Sequence, residues 1–306
     1  MIYLVSHKNP DTDSIVSSLV MKGFLKRSSQ EVRACRIGEV NKETAYILNY
    51  LKEKAPSLIK NVSGKKIFLI DHNEIEHGGK GMEKAEIVGI LDHHRLGGIE
   101  TVFPIFSRTE PLGSTSTLVF KLFKERDLKL NKKQAFLLLA GIISDTLKFI
   151  SPTTTNEDKK IAKELEKISG ENINKLSQGM FKARFDVSGI NLKDLLNKDY
   201  KEFKLGKAIV GIAVWETPSP QGILEKKIKI IERLKKIKKQ RKCDLIYFGT
   251  LDIFKKECNL IVIGEEERKV AEKAFGKKEK ENIIYLPGVI SRKKQIIPKL
   301  VKVLGK

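Results

Sequence analysis

Ile87-Val88-Gly89-Ile90-Leu91-Asp92-His93-His94 is an apolar run that stops abruptly at one acid and two imidazoles. A run this short suits a strand buried on both faces, the kind found inside a parallel sheet, better than a helix. The same design occurs twice upstream. Ile2–Ser6 runs into His7-Lys8-Asn9-Pro10-Asp11-Thr12-Asp13, and Lys66–Ile70 runs into Asp71-His72-Asn73-Glu74. A further strand-like stretch at Arg33–Ile37 and helical patterns at Ser14–Lys26, Ser116–Arg126, Lys132–Thr146 and Asn156–Ile168 complete the first part of the chain. Strands alternating with helices predict an α/β domain with a parallel sheet. Such sheets hold ligands beyond the carboxyl ends of their strands, and all three polar clusters fall at such ends.

After about Ser188 the pattern starts afresh. Lys207–Val214, Leu245–Gly249, Leu260–Gly264 and Ile283–Leu286 are strand candidates. Leu224, Ile228, Ile231, Leu234 and Ile237 recur at helical steps, and Ile296–Leu304 reads as a closing helix. These elements predict a second, smaller α/β domain, with the boundary near Asp186–Gly189 and a division into residues 1–187 and 188–306. Two domains are the natural expectation for 306 residues, 41% of them hydrophobic.

The formal net charge is +21, from 59 Lys and Arg against 38 Asp and Glu. That excess raises nucleic-acid binding, but the charge is spread along helices that also carry Glu, and aromatic interleaving is missing. The densest run, Lys235-Lys236-Ile237-Lys238-Lys239-Gln240-Arg241-Lys242, reads as the solvated back of an amphipathic helix. A basic field would draw an anionic substrate in any case. The three cysteines, Cys35, Cys243 and Cys258, lack CxxC spacing and read as small buried apolar residues. The opening residues do not resemble a secretory leader and no apolar run is long enough to span a bilayer, so a cytoplasmic protein is expected, with no membrane partner.

Of the five histidines, four lie in the three acidic clusters; His77 is the outlier and reads as a surface loop residue. Pro10 keeps the first cluster out of a helix, which lets His7, Asp11 and Asp13 converge. Asp13 alone could be no more than the cap of the next helix, together with Thr12; acid and imidazole at three successive strand ends argue for a site. Asp145 is the one carboxylate near the end of the otherwise apolar stretch Ala135–Thr146. Burying that charge requires a cap, a salt bridge or a metal. Carboxylates with imidazoles and no thiolate suit Mn²⁺, Mg²⁺ or Co²⁺. So many carboxylates around one ion would repel; two ions sharing one carboxylate relieve this, and a pair about 3.5–4 Å apart clamps both oxygens of an in-line displacement at phosphorus.

The ordered blocks HKNPDTD, LIDHNE, ILDHH and IISDT resemble the DHH phosphoesterase superfamily. A fifth block, Val289-Ile290-Ser291-Arg292-Lys293-Lys294-Gln295, is similar to the SRKKQ motif of the manganese-dependent (family II) inorganic pyrophosphatases, as are RIGEVNKETAYILNYLKEKAPSLI and RTEPLGSTSTL. The resemblance covers essentially the whole chain. It implies a DHH metal-binding catalytic domain followed by a DHHA2-type substrate-binding domain. It also implies hydrolysis of inorganic pyrophosphate to two phosphates by a two-metal-activated bridging water attacking in line.

The implied roles are these. His7 and Asp11 bind one metal, Asp13, His93 and Asp145 the other, and Asp71 bridges them. His94 is placed beside the substrate's bridging oxygen as proton donor. Lys201, Arg292 and Lys293 bind substrate, with Lys294 less clearly assigned. Asp92 and His72 support the ligands. Two Mn²⁺ (or Co²⁺) ions per subunit, a further Mg²⁺ arriving with pyrophosphate, domain closure over the substrate and a homodimer built through the N-terminal domain complete the expectation.

Three alternatives remain at this level. One is a DHH enzyme cleaving short oligonucleotides or cyclic dinucleotides; its glycine-rich, histidine-containing motif has no counterpart near Gly264, Gly276, Gly288 or Gly305. An exopolyphosphatase shares the metal domain and would differ in chain-length preference. A basic nucleic-acid-binding protein with a vestigial metal site would bind DNA or RNA in a salt-sensitive way.

Overall fold

The computed structural model describes residues 1–27, 31–186, 188–189, 191–217, 219–252 and 254–305. They form two compact units, Met1–Arg184 and Phe185–Lys306, each with its own sheet.

The first unit begins β1 (Ile2–Val5), α1 (Thr12–Lys26), β2 (Val32–Arg36), α2 (Lys42–Tyr50) and β3 (Ser57–Leu58). It continues with β4 (Lys66–Ile70), β5 (Glu86–Asp92), β6 (Phe106–Thr109), α3 (Thr115–Glu125), α4 (Lys132–Asp145), α5 (Asn156–Ser169) and α6 (Ile173–Arg184). Six strands lie in the order β3-β2-β1-β4-β5-β6, and every pairing is parallel. The chain therefore winds outward from β1 in one direction, returns to the centre with β4 and winds outward again. The junction between β1 and β4 is a topological switch point, where open α/β sheets bind ligands.

Register sharpens this. Val5 pairs with Leu69, and Ile70 with Leu91, so β1, β4 and β5 end together at the middle of the sheet. Neighbouring strands lie about 4.8 Å apart, and the residues that follow them, His7, Asp71 and His93, are thereby delivered side by side. One face of the sheet is covered by α1 and α3, with α4 packed against both. The other carries an apolar cluster of Val5, Cys35, Ile67, Leu69 and Ile90, closed by Val62 and Met82 from connecting segments.

In the second unit the order is α7 (Leu192–Asn197), β7 (Tyr200–Leu205), β8 (Ala208–Glu216), α8 (Gln221–Leu224), α9 (Lys227–Gln240), β9 (Leu245–Asp252), β10 (Glu257–Val262), α10 (Glu265–Phe275), β11 (Ile283–Pro287) and α11 (Ile297–Leu304). The sheet order is β11-β10-β9-β8-β7, and only β8 and β9 are parallel. Side chains alternate across it with period two. Val210, Ile212, Leu245 and Tyr247 meet α10 and α11, whereas Ala213, Ile246 and Phe248 meet α7 and α9. The sequence pattern predicts one helix with Leu224, Ile228, Ile231, Leu234 and Ile237 on its inner face. The structure breaks it into α8 and α9 and turns α9 on Ile230, Leu234 and Ile237, leaving Ile228 71% exposed. Ile230 at i, Leu234 at i+4 and Ile237 at i+7 make the tighter stripe. Cys35, Cys243 and Cys258 are buried and free.

Candidate metal centre

Each ligand candidate is placed by a local feature. The first is the loop after β1, where Asp11, not Asp13, caps α1. Its Oδ1 accepts from Ser14 N–H at 2.9 Å, and Ser14 returns a bond from the Asp11 N–H at 3.1 Å. The helix consequently starts at Thr12, earlier than the apolar periodicity implies, and Asp13 is fully buried on its first turn. Asp71, the first residue after β4, is left-handed with φ 67°, and its N–H bonds to Leu91 O at 2.9 Å. Such a conformation in a non-glycine residue costs about 1–3 kcal/mol and concentrates at functional sites. Asp145 is the last residue of α4, whose preceding stretch Ala135–Ser144 is buried throughout.

The distances divide these side chains into two groups that share Asp71. His7 Nε2 lies 3.6 Å from Asp11 Oδ2 and 3.7 Å from Asp71 Oδ2. His93 Nε2 lies 3.4 Å from Asp71 Oδ1 and 3.3 Å from Asp145 Oδ2. His7, Asp11 and Asp71 could hold one ion, and Asp13, Asp71, His93 and Asp145 another. His94 stands 4.0 Å from Asp71 Oδ1, but its Nδ1 is bound to Asp92 Oδ1 at 2.8 Å. Asp92 also accepts from the backbone N–H groups of His93 and His94, at 2.8 and 3.2 Å, and from Asn73 Nδ2. It thus holds the turn that carries both imidazoles. His72 is buried, with Nδ1 3.1 Å from Ile70 O and its ring edge-on to His7. His77, expected in a surface loop, ends a short 3-10 turn (Ile75–His77) and is exposed, yet it lines the same cavity of about 820 Å³ as His7, Asp11, Asp71 and His94.

Electrostatics show how far this pocket needs positive charge. The His7 pKa rises to about 10: burial works against its charge, and Asp11 and Asp71 overcome burial. The His93 pKa rises to about 12 against the same penalty, through Asp145 and Asp71. Burial, with Asp71 next to it, pushes Asp13 up to about 7, and burial with Asp13 and Asp11 nearby raises Asp145 well above the carboxylate range. Asp71 stays low despite burial, because both histidines bind it. The buried carboxylates thus favour added positive charge in this pocket. Buried atoms of the pocket without a hydrogen-bond partner among the described residues include Asp71 Oδ2, His93 Nε2 and His72 Nε2. His93 Nδ1 is engaged at 2.9 Å by Leu112 O, which fixes a proton on Nδ1 and makes Nε2 the ring atom that would become a ligand once it gives up its proton. Orphaned lone pairs and a surplus of carboxylates fit a hard divalent cation.

Sequence reasoning missed the residues that hold this arrangement from behind. Thr115 and Ser116, at the N-terminus of α3, donate their backbone N–H groups to Asp13 at 2.6 and 3.0 Å, and the Thr115 hydroxyl donates to Asp71 Oδ1 at 2.7 Å. Glu43, buried on α2, accepts from Thr12 Oγ1 at 3.1 Å and from Ser144 Oγ at 2.7 Å, tying the start of α1 to the end of α4. The hydroxyl run Ser114-Thr115-Ser116-Thr117 ahead of an apolar stretch is a helix-start signal. It says nothing, however, about which carboxylates the helix start will meet.

The three cations expected to bind substrate belong to the second unit. Lys201 on β7 and Lys293 are exposed, and Arg292 is buried. The Arg292 guanidinium donates to Asp199 O at 2.5 Å, Ile212 O at 3.1 Å and Asp199 Oδ1 at 2.7 Å. Ile212 pairs with Lys201, so Arg292 and Lys201 share one margin of that sheet.

Residues 1–142 match the DHH family, N-terminal domain, and residues 178–303 the DHHA2 domain. A probable manganese-dependent inorganic pyrophosphatase of Clostridium acetobutylicum is 37% identical over 99% of this chain and 98% of its own length. The chain belongs to the manganese-dependent inorganic pyrophosphatases. The Bacillus subtilis manganese-dependent inorganic pyrophosphatase is 35% identical over 99% of both chains. Among solved structures, a putative family II inorganic pyrophosphatase of Methanococcus jannaschii covers 100% of both chains at 36% identity with a TM-score of 0.64. An exopolyphosphatase-related protein from Bacteroides fragilis, 17% identical with a TM-score of 0.52, shares the fold over 98% of this chain and 91% of its own.

Proposed function

We propose that this chain hydrolyses inorganic pyrophosphate to two phosphates. In this reading His7 and Asp11 hold one manganese (or cobalt) ion, Asp13, His93 and Asp145 a second, Asp71 bridges the two, and a further Mg²⁺ arrives with the substrate. The observation that carries the reading is the Asp71 carboxylate, which faces His7 with Oδ2 and His93 with Oδ1. The ions would supply a water made nucleophilic at neutral pH and a clamp on the oxygens of an in-line displacement.

The protein's own groups do the rest. His93 keeps its proton on Nδ1 against Leu112 O and offers Nε2 as a ligand. His94 gives Nδ1–H to Asp92, which raises its pKa, so Nε2 can carry a proton to the leaving phosphate. Lys201, Arg292 and Lys293 are the proposed substrate cations. Lys201 and Lys293 offer exposed point charges and Arg292 a planar fork.

The first unit also supports the homodimer. β6 is an edge strand of its sheet. Leu96, Val102, Phe103 and Phe106, on β6 and the segment leading to it, are exposed, three of them by 74% or more. An uncovered edge beside an apolar patch invites pairing with a second copy. Buried free thiols suit the reducing cytosol.

Phosphate release from pyrophosphate, tripolyphosphate and a dinucleotide, with Mn²⁺ or Mg²⁺, tests the proposal in the wild type and Asp71→Asn. Strong preference for pyrophosphate and a nearly inert variant are expected. Equal or faster release from tripolyphosphate would make the chain a polyphosphatase instead.

A further inference from the structure

Asp71 can bridge two ions only if its carboxylate plane is held so that each oxygen faces a different group. Nothing in an aspartate fixes that plane, because rotation about its last side-chain bond is broad. Oδ2 has no hydrogen-bond partner among the described residues. Oδ1 accepts from the Thr115 hydroxyl at 2.7 Å, with His93 Nε2 facing it at a longer 3.4 Å.

Thr115 is itself immobilised. It is fully buried at the first position of α3, behind Ser114, whose hydroxyl caps the helix by accepting from Thr117 N–H at 3.2 Å. The turn before it is pinned by Asp158, fully buried, which accepts from Gly113 N–H at 2.9 Å and Thr117 Oγ1 at 2.6 Å. The same Thr115 offers its N–H to Asp13 Oδ2 at 2.6 Å. One residue on a rigid helix start therefore touches a carboxylate that belongs to one group and the carboxylate that both groups share.

Building on the two-metal reading above, we infer that Thr115 is a positioning residue: its hydroxyl sets the roll of the Asp71 carboxylate, and so decides whether the carboxylate joins two ions or closes on one. Without the hydroxyl, Asp71 can turn both oxygens toward a single ion. The chain would then keep the first metal and lose grip on the second. The N–H bond to Asp13 is backbone and survives any change of side chain.

Thr115→Val removes the hydroxyl and keeps the shape. Manganese titration of the full metal-free chain by calorimetry, followed by electron paramagnetic resonance of the loaded protein, reads the effect without turnover. The first equivalent should bind as in the wild type. The second should bind about 10- to 100-fold more weakly, the usual cost of losing a partner behind a metal ligand, and the signature of an interacting manganese pair should fade in parallel. Thr115→Ser keeps the hydroxyl and should restore both. Should Thr115→Val fail to fold, Thr115→Ala lacks the same hydroxyl and relieves the packing, and must show the same selective loss. Wild-type affinity for both equivalents in Thr115→Val or Thr115→Ala would overturn the inference. So would a Thr115→Ser variant as impaired as Thr115→Val, since the methyl would then be the part that matters. A wild-type chain that binds fewer than two manganese ions would instead defeat the two-metal reading itself.

Discussion

Gly141 lies inside α4, where glycine costs about 1 kcal/mol relative to alanine. The surroundings explain its presence. A Cβ built there would come within 2.0 Å of Ser116 Oγ, 2.5 Å of Asp13 Oδ1 and 2.9 Å of Ser116 Cβ. Ser116 Oγ donates to Asp13 Oδ1, and the Ser116 N–H donates to the same oxygen at 3.0 Å. An added methyl group must therefore displace a bonded carboxylate and its donor together. Overpacking a tight core costs about 1–3 kcal/mol, and the lost bond to a charged group about 1.5–3 kcal/mol. The helix returns about 1 kcal/mol. The Gly141→Ala variant should thus be destabilised by about 2 kcal/mol or more, lowering the melting temperature of the first unit by about 4–8 °C. Its second effect separates site from scaffold. With manganese at 100 times Kd, loading stabilises the wild type by about 2.7 kcal/mol; a 100-fold weaker site at the same concentration gains only about 0.4 kcal/mol. Melting curves of both proteins, metal-free and manganese-loaded, measure the two numbers independently. An alanine variant that melts with the wild type and gains equally from manganese would refute the claim that Gly141 makes room for Asp13.

The metal-free chain should lose stability as pH rises. His7, lifted from 6.5 to about 10, stabilises the folded state fully below pH 6.5 and loses that contribution as pH passes 10; Asp13, lifted from 3.8 to about 7, acts in the same direction at lower pH. Thermal melts between pH 6.5 and 10 should therefore fall for the metal-free chain, and manganese uptake should release protons, visible as a buffer-dependent binding enthalpy; a pH-independent melt would contradict the proton-filled pocket. In the second unit, Arg292→Lys gives up a guanidinium with three short bonds and should cost about 1.5–3 kcal/mol in urea unfolding. Lys293→Ala should stay within about 0.5 kcal/mol of the wild type while raising KM for pyrophosphate; the reverse pattern would exchange the two roles. Phe106→Glu, at the β6 edge, should shift the mass measured by light scattering from dimer to monomer, and an unchanged mass would move the interface elsewhere.

How much of this was legible in the sequence depends on the kind of signal. The apolar runs Ile2–Ser6, Lys66–Ile70 and Ile87–Leu91 announce strands because they are short, uninterrupted and end at charge, and each lies on a strand of the structure. α2 and α10 escaped notice because their buried stripes are polar or sparse, whereas α6 was missed although Ile173, Leu176, Met180 and Phe181 recur at helical steps. Glu43, Thr44, Ile47 and Leu48 in α2, or Glu267, Ala271 and Phe275 in α10, make stripes too polar or too sparse to stand out from a charged background. β6 is four residues long and half exposed, which leaves no alternation to read. Strand order is not written locally at all. Only the placement of β1 between β2 and β4, with β5 beyond, turns three separated clusters into neighbours.

The Ser291–Gln295 segment shows what similarity alone leaves out. Five adjacent polar residues look like one exposed basic patch, yet they divide the work. Ser291 Oγ accepts from Lys294 N–H at 3.2 Å, and Gln295 folds back, its Oε1 accepting from Ile290 and Ser291 N–H at 2.8 and 3.0 Å and its Nε2 donating to Gly288 O at 2.7 Å. Arg292 turns inward to Asp199 and Ile212. A buried guanidinium bonded through both terminal nitrogens is costly to disturb. Lys293 and Lys294 remain outside, on a helical turn (Arg292–Ile296) that runs into α11. A flexible lysine gains most as an anion ligand when its backbone is already fixed, because less entropy is then lost on binding. In this segment, then, serine, arginine and glutamine hold the backbone through their side chains, and the lysines stay exposed.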